Sequence, residues 1–280
     1  MGARYEQYYR ETTMKISHES PLSLLKESRK YNDYCYALVH LFETNPDYFK
    51  FFKESVQMGR HVLLDNSIFE LGTSFESERY MYWINELSPT EFIIPDVLED
   101  ALGTMDKALE WKEEYEPRVN TGIKTIGVVQ GKSYNDIINC YDYLDNVIKV
   151  DKIAFSFDYS YYLEVCPHPN KWMGYTLGRI QTLTRLLNDG IINKTKPHHL
   201  LGCALPIEFM FYRKGFEWIE SMDSSNPIVH GLLGINYECG GLLDKQSIKL
   251  VDLIHTIPTP NQINFINHNI GRFRSYVNGE

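Results

Sequence analysis

Short apolar runs rich in β-branched and aromatic residues recur along the chain, and stretches with apolar residues three or four positions apart separate them. The first pattern is typical of buried strands and the second of amphipathic helices. The eight apolar runs occupy residues 14–17, 36–42, 61–66, 91–97, 125–131, 152–158, 199–204 and 218–223. Strands that alternate with helices form a parallel sheet, and eight such units close on themselves. The pattern therefore predicts an α/β fold, a (β/α)8 TIM barrel.

The stretches between the runs predict the helices of this barrel. Helical spacing is found at residues 45–59, 74–87, 101–115, 133–147 and 175–190. The connection between the sixth and seventh runs is long and begins with an aromatic segment, which predicts an extra loop over one face. Residues 248–257 predict a closing helix before a polar tail. We expect a single domain over 1–280, with the barrel at about 14–231 and a short C-terminal helical extension at about 232–280.

The composition is that of an ordinary folded protein, with 280 residues, 43% hydrophobic and 23% charged, and this length is normal for one TIM barrel. No apolar run approaches the ~18 residues of a membrane-spanning helix, and residues 1–15 lack the apolar segment of a secretory signal. The five cysteines are scattered and form no C-x-x-C pair, which favours reduced thiols. These features predict a cytoplasmic protein with no membrane partner.

The formal net charge of −9 argues against a protein that coats nucleic acid without specificity, because neutralising phosphates requires clustered Lys and Arg. Three local basic segments leave specific contacts open. They contain Arg213 with Lys214, residues 193–199, and Arg272 with Arg274. Each segment also has the composition of a solvated surface.

Polar residues stand at the ends of four apolar runs, where the catalytic groups of a parallel barrel are found. They are Asp65, Asp96, Gln130 and Asp223. A single aspartate in such a place commonly caps the following helix. Three carboxylates that meet at one rim raise one another's pKa, so the set indicates a functional site. Glu99, Asp100 and Asp158 also lie near strand ends, and we interpret them as loop caps or rim residues.

The residue types narrow the chemistry. Two carboxylates without a metal-ligand cluster suit substitution at an anomeric carbon, where one attacks the carbon and another moves a proton. Phe69, four residues after Asp65, can stack on a planar ring. Gln130 offers both the donor and the acceptor that reading the edge of a nucleobase requires.

Five segments in order, within residues 36–231, resemble the motifs of the tRNA-guanine transglycosylase family. They are DNSIFE (65–70), IPDVLED (94–100), GVVQGK (127–132), HLLGCA (199–204) and SMDSSNP (221–227). That family exchanges guanine for a 7-deazaguanine on a (β/α)8 barrel, through a covalent bond between an aspartate and C1′. The resemblance implies that Asp223 is the nucleophile and Asp65 the general base. It also implies that Phe69 stacks on the base and that Leu201 and Gly202 lie against the other face.

The remaining motifs imply how the edge of the base is read. Asp96 and Gln130 would form hydrogen bonds with the guanine edge. The sixth run, IAFSFDY, departs from the family because Phe155 and Ser156 replace a glycine pair. We expect Ser156 and Phe157 to belong to the base-binding set and recognition of the 7-substituent to differ from that of the family.

A second departure concerns metal. The zinc site that the family carries after its last strand, C-x-C-x-x-C…H, is missing, and that region contains only Cys239, His255 and His268. We expect these histidines to be surface or capping groups, and the chain to have no zinc subdomain, no metal and no cofactor. A zinc-less member of this length is similar to the DpdA-type DNA transglycosylases of phages and bacteria, which insert 7-deazaguanines into DNA.

That similarity implies two partners, DNA with a flipped or unpaired guanine and a free 7-deazaguanine such as 7-cyano-7-deazaguanine. The modification would protect DNA against restriction. The enzyme would act in the cytoplasm, that of the host cell if a phage encodes it, and a homodimer is left open. Three alternatives remain: a transglycosylase that acts on tRNA, a non-catalytic partner subunit of such an enzyme, and a metal-independent glycoside hydrolase. The four polar strand-end residues disfavour the second, and the ordered motifs disfavour the third.

Overall fold

The computed structural model describes residues 14–212 and 214–279. Eight parallel strands of this part of the chain form one sheet in the order β1-β8-β7-β6-β5-β4-β3-β2, which is a nearly closed barrel. The strands are β1 Lys15–Ser17, β2 Cys35–Leu38, β3 Val62–Asp65, β4 Glu91–Ile93, β5 Lys124–Val129, β6 Lys152–Ser156, β7 His198–Leu201 and β8 Ile219–Asp223. The predicted TIM barrel is confirmed. Two parts of the chain discussed above lie outside the described residues. They are residues 1–13, which include most of the segment without a predicted secretory signal, and Arg213 of one basic segment.

Individual hydrogen bonds bridge β1 and β2, where the barrel closes. The backbone N–H of Asp33 donates to the Ile16 carbonyl over 2.9 Å, and the Asp33 carboxylate accepts from the Ile16 N–H over 2.9 Å. The Ser17 hydroxyl donates to the Tyr34 carbonyl over 2.9 Å. The two edge strands of the sheet, β1 and β2, are therefore held together around one interior, so the ends of all eight strands face a common rim.

Helices surround the sheet and follow most strands. They are α1 Leu25–Tyr31, α2 His40–Thr44, α3 Pro46–Gln57, α4 Ile68–Leu71, α5 Ser77–Leu87, α6 Ala101–Glu110, α7 Tyr134–Asp142, α8 Ser160–Val165, α9 Lys171–Asn188, α10 Asn226–Leu232 and α11 Pro260–Asn278. π-Helical turns continue α6 through Trp111–Tyr115 and α7 through Tyr143–Ile148. The five helices predicted from apolar spacing are confirmed. Among the helices the structure describes, none combines the length and apolar character that crossing a membrane needs.

The strands are buried on both faces, which explains their nearly continuous apolar sequences. Every residue of β2, β3 and β4 is buried. The strands are nevertheless shorter than the apolar runs. Run 36–42 leaves the sheet after Leu38 and enters α2, and run 91–97 leaves it after Ile93, just before Pro95. Proline cannot donate to a strand ladder, so Asp96 lies in the loop that follows β4.

The predicted C-terminal helical extension is confirmed, but its helix does not lie at residues 248–257 as predicted. That segment contains only a 3-10 turn, Leu250–Leu253, and the long helix is α11, in the stretch interpreted as a polar tail. Thr259 and Gln262 form a capping box at the start of α11, and Pro260 occupies its first turn, where a missing N–H costs nothing. The helix buries a narrow stripe, of which Ile266 and Ile270 pack with apolar residues of α10, whereas Phe273 and Val277 belong to the main hydrophobic core. The stripe consists of Ile266, Asn269, Ile270, Phe273 and Val277.

Candidate active site

A cavity of about 300 Å³ opens at the carboxyl ends of the strands. This volume is at the lower end of the range for small-molecule sites. All nine residues singled out from the sequence line this cavity. They are Asp65, Phe69, Asp96, Gln130, Ser156, Phe157, Leu201, Gly202 and Asp223. The barrel thus brings together side chains from six βα units that are up to 158 positions apart in the chain.

Asp65 is the last residue of β3, and both of its carboxylate oxygens accept hydrogen bonds. Oδ2 accepts a hydrogen bond of 2.7 Å from the Tyr36 hydroxyl, and Oδ1 accepts one of 2.5 Å from the Ser67 backbone N–H. Burial raises the pKa of Asp65 well above its usual value, and the nearby Glu70 carboxylate adds to this effect. The tyrosine and backbone donors oppose the rise. The raised pKa makes Asp65 a candidate for taking up and releasing a proton.

Asp96 lies at the centre of a buried amide network. Its Oδ1 accepts from Asn66 Nδ2 over 2.8 Å and its Oδ2 accepts from Gln130 Nε2 over 2.7 Å. The Gln130 Oε1 in turn accepts from the Glu99 backbone N–H over 2.8 Å, which fixes the orientation of the amide. Burial raises the pKa of Asp96 to about 6, although the two amide donors hold it down. Asp96 and Gln130 thus present a fixed pattern of acceptor and donor to the cavity.

Asp223 ends β8 and lies beside a histidine that sequence patterns did not indicate. His199 Nε2 is 3.0 Å from Asp223 Oδ1, and the Gly202 backbone N–H donates to the same oxygen over 3.3 Å. His199 Nδ1 is 2.9 Å from the Ser221 hydroxyl. The imidazole also stacks on the Tyr36 ring, at a centroid distance of 6.3 Å and an angle of 17°. Because Tyr36 binds Asp65, one continuous chain of contacts joins the two carboxylates.

Two phenyl rings form the apolar side of the cavity. The centroids of Phe69 and Phe157 are 5.8 Å apart, which is the contact distance of an aromatic pair, so no base fits between these two rings. Gly202 has a φ of +60°, and a side chain there would meet Phe157 Cδ1 at 2.7 Å. Glycine at this position therefore permits both the left-handed backbone and the close approach of the ring.

The C-terminal extension covers part of this aromatic side. Lys249 Nζ lies 4.4 Å from the Phe69 ring centroid and donates to the Phe69 carbonyl over 2.8 Å. Lys245 Nζ lies 4.4 Å from the Phe157 ring centroid and donates to the Cys203 carbonyl over 2.8 Å. Lys249 lies in the segment predicted as a helix and Lys245 just before it, and nothing in that pattern indicates that the segment lines the cavity.

Further acids line the cavity beyond those predicted. Glu19 follows β1, and burial raises its pKa, with the charge of Asp223 as the next contribution. Burial raises the pKa of Glu70 to about 7, and Lys249 opposes the rise. Asp158 lies at the rim, as expected, and also lines the cavity, where it accepts a 2.8 Å hydrogen bond from the Ser156 hydroxyl. An excess of acids in one cavity favours the protonated state of some of them at neutral pH.

The interpretation of Asp100 as a cap is confirmed, since its carboxylate accepts from the Gly103 backbone N–H at the start of α6. In the region after the last strand, where the resembled family carries its zinc site, His255 is exposed and His268 forms a hydrogen bond with Glu238. Within residues 14–212 and 214–279, no three His, Cys, Asp or Glu side chains are grouped so as to hold a metal ion. Cys239 is exposed on the same extension.

A fully buried ion pair supports the Gly202 side of the cavity from behind. The Arg179 guanidinium, on α9, donates to both oxygens of Glu208, over 2.6 Å and 3.0 Å. It also donates to the Leu201 carbonyl over 3.1 Å and to the Gly202 carbonyl over 2.9 Å. Arg179 therefore fixes the turn whose N–H reaches Asp223.

Comparison of the chain with models of known protein families gives no match, and comparison with curated proteins gives none either.

Proposed function

We propose that the protein is a base-exchange transglycosylase that replaces guanine in DNA by a 7-deazaguanine through a covalent bond between Asp223 and C1′. The observation that carries the proposal is that one cavity contains three polar groups with different environments. Asp223 has one oxygen tied to His199, Asp65 is a second carboxylate with a raised pKa, and Asp96 with Gln130 forms a separate polar pair. This arrangement combines a nucleophile, a proton carrier and a reader of a base edge.

In the first half-reaction Asp223 attacks C1′ while the bond from C1′ to N9 of guanine breaks. The guanine leaves with the bonding electron pair and takes a proton from Asp65, whose raised pKa favours the protonated form. In the second half-reaction the 7-deazaguanine loses its N9 proton to Asp65 and attacks C1′, which releases Asp223. Each proton and electron pair is returned, and the phosphodiester backbone is never cut.

The assignment of DNA as the polymer rests on the resemblance to the zinc-less transglycosylases. A guanine within a duplex hides its glycosidic bond, so the enzyme must act on a flipped or unpaired nucleotide, at a cost of a few kcal/mol. Asp96 and Gln130 would repay part of this cost by hydrogen bonds to the base edge, and Phe69 by stacking. The product would be DNA with 7-deazaguanine, in which altered bases hinder restriction.

Trapping the covalent intermediate tests the proposal. Wild-type protein incubated with guanine-containing DNA is expected to give an enzyme–DNA adduct that survives a denaturing gel. Asp223→Asn is expected to give no adduct, since an amide does not replace an attacking carboxylate. Asp65→Asn should form the adduct slowly and fail to discharge it to the incoming base. An adduct from Asp223→Asn but not from Asp65→Asn would reverse the two roles.

Incubation of the protein with labelled guanine and either DNA or tRNA shows which of the two polymers is the substrate. We expect label to enter DNA and not tRNA. Label in tRNA alone would replace DNA by tRNA in the proposal, and label in neither would leave the barrel without transglycosylase activity, as in a non-catalytic partner subunit.

A further inference from the structure

His199 is fully buried on β7, and the register of the sheet sets it beside the proposed nucleophile. An irregularity between His198 and His199 shifts the β7–β8 pairing so that His199 lies opposite Ser221. Because side chains alternate along a strand, Ser221 and Asp223 point to the same face of β8. The imidazole therefore contacts both, with Nδ1 2.9 Å from the Ser221 hydroxyl and Nε2 3.0 Å from Asp223 Oδ1.

The partners of the imidazole fix its tautomer. The nucleophilic form of Asp223 is the carboxylate, which only accepts hydrogen bonds, so in that form the proton between His199 and Asp223 is on Nε2. With that proton on Nε2, Nδ1 can accept from the Ser221 hydroxyl, which lies 2.9 Å away, is buried and has no other hydrogen bond within the described chain. Ser221 thus acts on His199 as outer partners act on histidines at metal sites, by fixing both the tautomer and the ring orientation.

The two oxygens of Asp223 consequently differ. Oδ1 receives the His199 Nε2–H and the Gly202 N–H, whereas Oδ2 receives no hydrogen bond from the residues that the structure describes. Asp223 lines the cavity. A lone pair that is not engaged by a donor is the better nucleophile, and a carboxylate held at one oxygen cannot rotate the other away.

We propose that His199 is a positioning residue for glycosyl transfer, because its Nε2–H holds Oδ1 of Asp223 and thereby presents Oδ2 to C1′. The inference rests on the proposed function. The stacked Tyr36 ring holds the imidazole plane from one side, and the edge of Tyr34 packs against it at a centroid distance of 6.3 Å. Misplacement of a reacting group by about 1 Å costs on the order of 100-fold in rate, which sets the expected effect.

Two variants and a neighbouring control test the role. His199→Phe keeps a ring against Tyr36 but removes the donor, and the rate of adduct formation in a single turnover should fall about 100-fold. The KM for 7-cyano-7-deazaguanine should stay within about twofold, since Asp96 and Gln130 are unchanged. His199→Gln restores an N–H near the position of Nε2 and should recover most of the rate. His198→Gln, at a buried position outside the cavity, should match the wild type.

Equal losses in His199→Phe and His199→Gln with a matching fall in melting temperature would overturn the inference, because they would show a purely structural role. Wild-type rates in His199→Phe would overturn it as well, and in both cases the proposed function would stand.

A second measurement does not depend on turnover. Nitrogen-15 NMR of labelled histidine should show His199 protonated at Nε2 and not at Nδ1, and Asp223→Asn should shift the Nε2 signal. The opposite tautomer would overturn the inference even if the wild type formed no adduct, which is the result that would contradict the proposed function itself.

Discussion

The buried pair of Arg179 and Glu208 gives the sharpest stability prediction. Both side chains are fully buried, and the guanidinium holds Glu208 together with the Leu201 and Gly202 carbonyls. Arg179→Met leaves the Glu208 carboxylate buried, with the Tyr212 hydroxyl at 2.6 Å as its remaining side-chain partner in the described structure. Breaking a buried pair on one side costs about 3–5 kcal/mol of unfolding free energy. The carbonyls of Phe155, Leu201 and Gly202, which all lose a donor, add up to about 1 kcal/mol each.

A double-mutant cycle separates the pair from its surroundings. Arg179→Met and Glu208→Met are each expected to lower the unfolding free energy by at least about 3 kcal/mol, because each leaves one uncompensated buried charge. The double variant leaves none and should cost no more than the worse single variant, which gives a coupling of roughly 3 kcal/mol. Urea titration of the four proteins, followed by circular dichroism, measures these values. If the losses of unfolding free energy in the two single variants simply add in the double variant, the result would refute the reasoning that an unpaired buried charge causes most of the destabilisation.

Three further predictions concern the cavity. Gly202→Ala should weaken the binding of 7-cyano-7-deazaguanine measured by calorimetry, because the added Cβ would displace Phe157. The control Gly234→Ala has a similar φ of +73° but open space around the Cβ, so it should leave the affinity unchanged. Equal affinities in the two variants would contradict the assigned contact. The Asp96 pKa of about 6 predicts that guanine, which donates from its N1–H, binds about tenfold more weakly per pH unit as pH falls below 6, and pH-independent affinity between pH 5 and 8 would contradict this. Exchange should survive EDTA, and one tightly held zinc per chain in metal analysis would refute that expectation.

The barrel could be predicted from the sequence because its strands are buried on both faces. Val62–Asp65 and Cys35–Leu38 therefore read as apolar runs, and a polar residue at the end of such a run marks the rim. Asp65 and Asp223 were found in this way. The prediction needed only the local sequence and the rule that parallel strands end at one edge.

The rest of the site depends on register and on irregular chain. His199 was assigned to a strand, but its contact with Asp223 arises from the shift in pairing at the start of β7, which no local pattern encodes. Lys245 and Lys249 reach the cavity from irregular chain, although the apolar spacing at residues 248–257 predicts a helix. The position of helix α11 was not predicted because only one narrow stripe of it is buried and most of its other positions are polar.

The most direct test of the account is mass spectrometry of nucleosides from DNA that has been incubated with the protein and 7-cyano-7-deazaguanine. The account predicts that the 7-cyano-7-deazaguanine deoxynucleoside appears with the wild type, with one guanine released for each base inserted, and that Asp223→Asn produces none. Formation of the same nucleoside by Asp223→Asn, or its absence from DNA treated with the wild type, would contradict the central claim.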